Sequence, residues 1–406
     1  MQAKLLTIIG VFLAAIGITM AQATADAPQI QAPAPPPIIS FDEMKPYATW
    51  AGTDEFVVSF PSSVTSDHEQ NNVVPIHILL PHDKTGPFPV VVILHYWGAL
   101  NRNVERAMGQ EFNRRGIAAV LMTLPYHLER TPPGVRSGEL AIQPDVTQLR
   151  TTMLQSLQDT RRAIDYIQTR PEFQHDKIGI TGLSLGAIVT ALVYGVDTRV
   201  SHAVFVLGGV DIANILWHSS RVVPQREALR QKGFSEERLR DELADLEPGT
   251  FLKQRETKDA LVVTARYDTV IPSKASQELI DDLGTSKISW LNTGHFGGAF
   301  VQKRLLSETG DYFENAFNGT PYHPASNLGA PTIRLGVQYN PATGMDIGFG
   351  LDFFAAGNQR EYAGTALITP RGLRLFLGRR TSDQLSVGIL IDARRIAPGI
   401  LWSTVL

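Results

Sequence analysis

A serine hydroxyl is a poor nucleophile near neutral pH. It becomes a good one when a histidine takes its proton and a carboxylate orients that histidine. The chain carries all three residue types in settings suited to the task. Ser184 lies in Gly182-Leu183-Ser184-Leu185-Gly186, after a segment (177–181) whose pattern predicts a short buried strand and before one (187–194) whose pattern predicts a helix. A strand that turns sharply into a helix at a serine is a nucleophile elbow. The apex of such a turn is strained, and side chains at its flanks would clash, which is the steric reason for the two glycines. The helix starting beneath the serine offers free N–H groups to the negative charge that acyl transfer develops. Asp268 follows a predicted strand in Ala265-Arg266-Tyr267-Asp268-Thr269-Val270-Ile271-Pro272, and His295 follows another in Gly294-His295-Phe296-Gly297-Gly298. The chain order Ser, Asp, His is one in which this constellation occurs.

Acyl transfer also needs two fixed N–H donors for the oxyanion of the tetrahedral intermediate. Leu185, directly after the serine, supplies one. The other is expected from His95-Tyr96-Trp97-Gly98, with Trp97 the first choice and Tyr96 the second; both rings are also candidate walls of an acyl pocket. Asp211 is a rival for the acid, disfavoured by its position one strand earlier. His95 and His202 read as structural, His218 has weaker support than His295, and His127 either lines the pocket or is a plain loop residue.

These side chains must be carried by a scaffold. Segments 90–94 and 117–123 are apolar and rich in β-branched residues, as in central strands buried on both faces. With 55–60, 73–80, 177–181, 203–207, 260–264 and 287–291 they alternate with predicted helices at 103–115, 146–169 and 273–282. That alternation predicts an α/β fold with a mostly parallel sheet covered by helices on both faces, and ligands gather at the carboxyl ends of such strands. Residues 219–258 are rich in Arg and Glu and read as a helical insertion, either a cap over the site or a solvated crossover. From about residue 330 the period changes to two: Ile333, Leu335, Val337 and Tyr339 alternate with polar residues and Gly, as do Met345, Ile347, Phe349, Leu351 and Phe353. This predicts an antiparallel β-rich tail of about six strands over 325–406. Outer-membrane barrels alternate in the same way but need at least about eight strands. The tail therefore reads as a small accessory β-domain whose partner the sequence does not name.

At 406 residues and 43% hydrophobic, the chain can bury a large core, and a net charge of −3 with no basic stripe gives nucleic-acid binding no support. Lys4, the apolar run 5–20 and Ala21-Gln22-Ala23 read as a cleavable export signal over 1–23; a run of about 16 residues is short for an uncleaved spanning anchor. The proline-rich stretch within 24–44 reads as an extended linker. The absence of cysteine excludes a lipoprotein anchor, disulfides, thiol catalysis and Cys-ligated metals. Export without disulfides suits a periplasmic, envelope-associated or secreted bacterial protein.

Leu94-His95-Tyr96-Trp97-Gly98, Asp159-Thr160-Arg161-Arg162-Ala163-Ile164-Asp165-Tyr166-Ile167, the run from Asp176 to Gly186, Tyr267-Asp268-Thr269-Val270-Ile271-Pro272 and Gly294-His295 together resemble the α/β-hydrolase superfamily. Within it the chain is most similar to dienelactone-hydrolase-like and acetyl-xylan-esterase-like enzymes, over roughly residues 45–315. The resemblance implies a catalytic domain at 45–320 with an eight-stranded sheet, a serine acyl-enzyme and no cofactor or metal. Two departures stand out: His95-Tyr96 replaces the usual His-Gly, and the cysteine nucleophile of dienelactone hydrolases proper is missing. The expectation is an exported serine esterase with catalytic Ser184, Asp268 and His295, acting on a small-molecule or polysaccharide-linked ester. The alternatives are a peptidase of the same fold and a non-catalytic envelope binding module.

Overall fold

The protein is described by a computed structural model over residues 30–342, 344–356, 362–382 and 384–405. The export signal expected at 1–23 lies outside the described residues. The chain runs through β1 (Lys45–Trp50), β2 (Thr53–Pro61), β3 (Val73–Pro81), β4 (Phe88–Leu94), α1 (Asn103–Arg114), β5 (Ala118–Met122), α2 (Val146–Gln168) and β6 (Phe173–Leu183). It continues through α3 (Leu185–Val196), β7 (Val200–Val206), α4 (Ile212–His218), α5 (Val223–Gln231), α6 (Glu236–Leu243), α7 (Pro248–Gln254), β8 (Ala260–Ala265), α8 (Ser273–Leu283), β9 (Ile288–Leu291) and α9 (Gln302–Asn318). Six further strands follow: β10 (Ile333–Asn340), β11 (Gly344–Ala356), β12 (Tyr362–Thr369), β13 (Gly372–Arg380), β14 (Leu385–Ile391) and β15 (Ile396–Val405).

The first nine strands form one sheet in the order β1-β2-β3-β5-β4-β6-β7-β8-β9. The pairings from β5 to β9 are parallel, and β1, β2 and β3 extend one edge antiparallel. The sheet thus has nine strands rather than the expected eight. The addition is β1, a six-residue edge strand of mostly exposed residues that pairs with β2 without the apolar alternation that marks a buried strand. Central strands are buried on both faces: Val90, Val91, Val92, Val204 and Val206 are fully covered. Because successive side chains point to opposite faces, Val91 and Ile93 meet Phe112 of α1 and Phe313 of α9, while their neighbours face the other layer of helices. Successive strands diverge at β4, with β5 on one side and β6 on the other. The crevice at their carboxyl ends is where such sheets take ligands.

The proline-rich stretch is extended, and its Pro33 and Ala34 carbonyls accept hydrogen bonds from Arg161 and Gln158 of α2. Residues 219–258 are helical, as α5, α6 and α7, between β7 and β8.

The tail is a closed antiparallel barrel, β15 returning to pair with β10. Closure goes beyond the expected meander and leaves no open strand edge. Its interior is largely polar. Arg334 donates to Asp352 at 2.9 Å and Arg380 at 2.5 Å, Thr365 donates to the same carboxylate at 2.6 Å, and Leu367, Phe376, Leu390 and Leu401 fill the remaining space. The barrel is tied to the α/β region where Arg380 donates to the Tyr267 hydroxyl at 2.8 Å and Thr332 donates to the Asn292 carbonyl.

Candidate active site

The elbow forms where β6 passes into α3. Ser184 sits at φ 55°, ψ −113°, a backbone region that side-chain-bearing residues rarely occupy. The glycines on either side are required by close approach: a Cβ on Gly182 would stand 2.2 Å from the Gly186 carbonyl oxygen, and one on Gly186 would stand 2.2 Å from that of Leu94. The turn is pinned by the Ser184 N–H donating to Val206 at 2.9 Å.

Three side chains far apart in the chain meet there. His295 Nε2 lies 2.9 Å from Ser184 Oγ, and His295 Nδ1 lies 2.7 Å from Asp268 Oδ2. The other carboxylate oxygen of Asp268 accepts the N–H groups of Val270 and Ile271, each at 2.8 Å. The acid is therefore fixed by its own turn and presents one oxygen to the imidazole. With Nδ1–H donated to the carboxylate, Nε2 is left as the acceptor for the serine proton. Asp268 and His295 are both buried. The chemistry open to this arrangement is withdrawal of a proton from Ser184 and its return to a leaving group.

Ser184 opens into a cavity of about 390 Å³. Apart from Ser184 and His295 its lining is mostly apolar, with Met108, Ile188, Ile215, Val270 and Leu306 among its walls and Tyr96 and Trp97 beside the serine. Ser219, Arg221 and Val222, the first residues of the helical insertion, line it as well. The Arg221 guanidinium lies 5.3 Å from the Trp97 ring centroid and 5.6 Å from that of Phe296, near enough for cation–π attraction to both. No sequence signal marks Arg221 individually; it stands in a charged stretch that reads either as a cap over the site or as a solvated crossover.

The loop carrying Tyr96 and Trp97 is held from behind by two buried histidines. His127 Nε2 accepts the Gly98 N–H at 3.0 Å while its Nδ1 donates to the Pro125 carbonyl. His95 Nε2 accepts the Leu124 N–H at 3.0 Å, and the two rings stack edge-on at 4.7 Å. Burial lowers His127 to about 4 and His95 well below the ordinary histidine range, so both remain neutral acceptors near pH 7. Of the two readings open for His127, the cavity wall is corrected. The ring lies behind the loop, beside a smaller adjoining void of about 60 Å³, because its two ring nitrogens are committed to backbone. The Trp97 indole is also committed, donating to the Gly138 carbonyl at 2.7 Å. Leu185 is the first residue of α3, where N–H groups have no acceptor within the helix.

The rival groups lie elsewhere. Asp211 caps α4 and pairs with Arg240 at 2.9 Å; His202 faces Asp259 at 3.2 Å; His218 contacts Glu236 at 2.9 Å. Among the described residues no cluster of side chains could hold a metal ion.

Comparison with known proteins agrees with this architecture. The model of the dienelactone hydrolase family matches residues 76–231, a span that contains Ser184 and ends before Asp268 and His295. None of the curated proteins matches the chain. Among solved structures the chain is similar to acetyl xylan esterase from Paenibacillus sp. R4, at 15% identity and a TM-score of 0.52, covering 65% of this chain and 86% of that one. It is also similar to acetyl xylan esterase 1 from Thermoanaerobacterium sp. JW/SL YS485, at 13% identity and a TM-score of 0.49, covering 66% and 87%. The likeness to the Paenibacillus esterase shows an α/β-hydrolase fold, to which the six-stranded barrel is appended.

Proposed function

We propose that the protein is an exported serine hydrolase that cleaves carboxylic esters through an acyl-enzyme. The observation that carries this reading is the unbroken line of hydrogen bonds from Ser184 Oγ through His295 to Asp268, ending at the floor of an apolar cavity. Ser184 attacks the ester carbonyl as His295 takes its proton, and His295 then passes that proton to the leaving alcohol. Asp268 holds the imidazole tautomer and stabilises the cation that forms. The N–H groups of Leu185 and Trp97 hold the oxyanion, with Tyr96 the alternative to Trp97. Water admitted through the same base releases the acid.

The cavity walls favour an apolar acyl or aryl group over acetyl, since burying each methylene is worth about 0.8 kcal/mol. A series of p-nitrophenyl esters from acetate to octanoate tests both statements. Turnover is expected to rise with acyl length up to the capacity of the cavity, and Ser184→Ala is expected to lose at least ~10⁴-fold in kcat. Wild-type turnover in that variant would remove the assignment.

A further inference from the structure

The barrel at 333–405 is built inside out for a water-soluble protein. Among the described residues, sixteen of the twenty-four exposed large hydrophobic side chains belong to it, though it is less than a fifth of the chain. They are not a patch on one side. Strand register aligns them in rows that run around the wall: Phe349 lies opposite Leu335 on one side and Ile368 on the other, Ile368 opposite Leu373, and Val337 opposite Ile347 and Trp402. Met345, Phe353, Ile368 and Ile396 are 58–70% exposed. On the outward register of the described strands the polar side chains are Arg379 and Thr404, both toward the end tied to the α/β region. The inward register instead holds the Arg334, Asp352 and Arg380 cluster.

We infer that the barrel is a lipid anchor, its outer wall lying in the hydrocarbon of a bilayer while the α/β region stays in water at one end. Several features favour lipid over a protein partner. A second copy could cover one flank of a cylinder, whereas this wall is apolar around its whole described circumference. Typical soluble monomers expose contiguous apolar patches of only about 300–600 Å². Six strands are fewer than the roughly eight of the smallest usual membrane barrels, but the ladder is closed, so no backbone edge needs water, and the narrow interior is filled by side chains. Outward apolar positions on β11 run from Met345 to Phe353, roughly 26 Å along the strand and ~20 Å along the axis of a barrel tilted by about 40°, close to the ~25 Å apolar band of membrane barrels. The end remote from the α/β region carries Arg371, Arg374, Arg394 and Arg395 against Asp346 and Asp392, a net excess of positive charge suited to anionic headgroups.

The full chain is mixed with vesicles of phosphatidylcholine and phosphatidylglycerol and floated on a density gradient, with and without acyl chains brominated near mid-depth. The protein is expected to float with the vesicles, and bromination to quench its tryptophan emission by an amount that Trp402→Phe abolishes. Phe349→Lys/Ile368→Lys is expected to lower vesicle partitioning at least ~30-fold, with the thermal transition of the α/β region unchanged. Should those lysines unfold the barrel, the quenching difference between wild type and Trp402→Phe still decides. Wild-type protein that stays in the aqueous fractions with Trp402 untouched by bromine overturns the inference. So does a detergent-free oligomer, insensitive to vesicles, that the two lysines dissociate.

Discussion

The α/β region and the barrel solve opposite problems with the same kind of strand. In the first, Val90, Val91 and Val92 are hidden on both faces of the sheet; in the second, Arg334 and Asp352 are hidden within the ring of strands and Ile347, Phe349 and Trp402 are displayed. The difference teaches that a hydrophobic stripe specifies a face, and that the solvent beyond that face decides which way it turns. One buried carboxylate from each region shows a further difference. Asp352 sits between Arg334 and Arg380, each within 2.9 Å. Glu105 of α1 is buried in the α/β region, and burial pushes its carboxyl up to about 7 against smaller pulls from its own backbone N–H, Arg102 and Arg106.

That contrast can be broken at Asp352. Replacing it with asparagine leaves two arginines inside the barrel without a counter-charge, and breaking a buried pair in this way costs on the order of 3–5 kcal/mol. Urea unfolding followed by Trp402 emission is expected to lose that much for Asp352→Asn. A loss under about 1 kcal/mol would show that water reaches the barrel interior and screens the charges.

A smaller effect, of opposite sign, is expected in the α/β region. Because the folded state raises the pKa of Glu105 from 4.5 to about 7, the folded protein holds that proton over an interval in which the unfolded chain has released it. The associated stability is complete below the unfolded value and is lost as pH rises through about 7. Glu105→Gln is therefore expected to match wild type near pH 4 and to exceed it by ~1–3 kcal/mol at pH 9. Thermal denaturation at the two pH values measures this, and identical pH profiles for the two proteins would contradict it.

Much of the site was legible in the chain because its geometry is written locally. Gly182, Ser184 and Gly186 specify the elbow by steric exclusion alone, and Asp268 precedes the Val270 and Ile271 N–H groups that fix its carboxylate. What was not legible depends on tertiary placement. His127 looks the same in sequence whether it faces a cavity or props the Gly98 amide from behind. Arg221 is one cation in a charged run until Trp97 and Phe296 flank it. The edge strand β1 is short and exposed and shows no period, and the tail's alternation of apolar with polar and small residues fits a soluble meander as well as a closed barrel.

In the proposed mechanism Ser184 is the nucleophile, raised by the elbow and deprotonated by His295. The most direct measurement is the intact mass and peptide map of the full chain after exposure to a fluorophosphonate, which reports covalent capture independently of substrate choice. A single phosphonyl adduct on Ser184 is expected, absent in Ser184→Ala and strongly slowed in His295→Ala. An adduct on another serine, or undiminished ester turnover by protein carrying none, would contradict it.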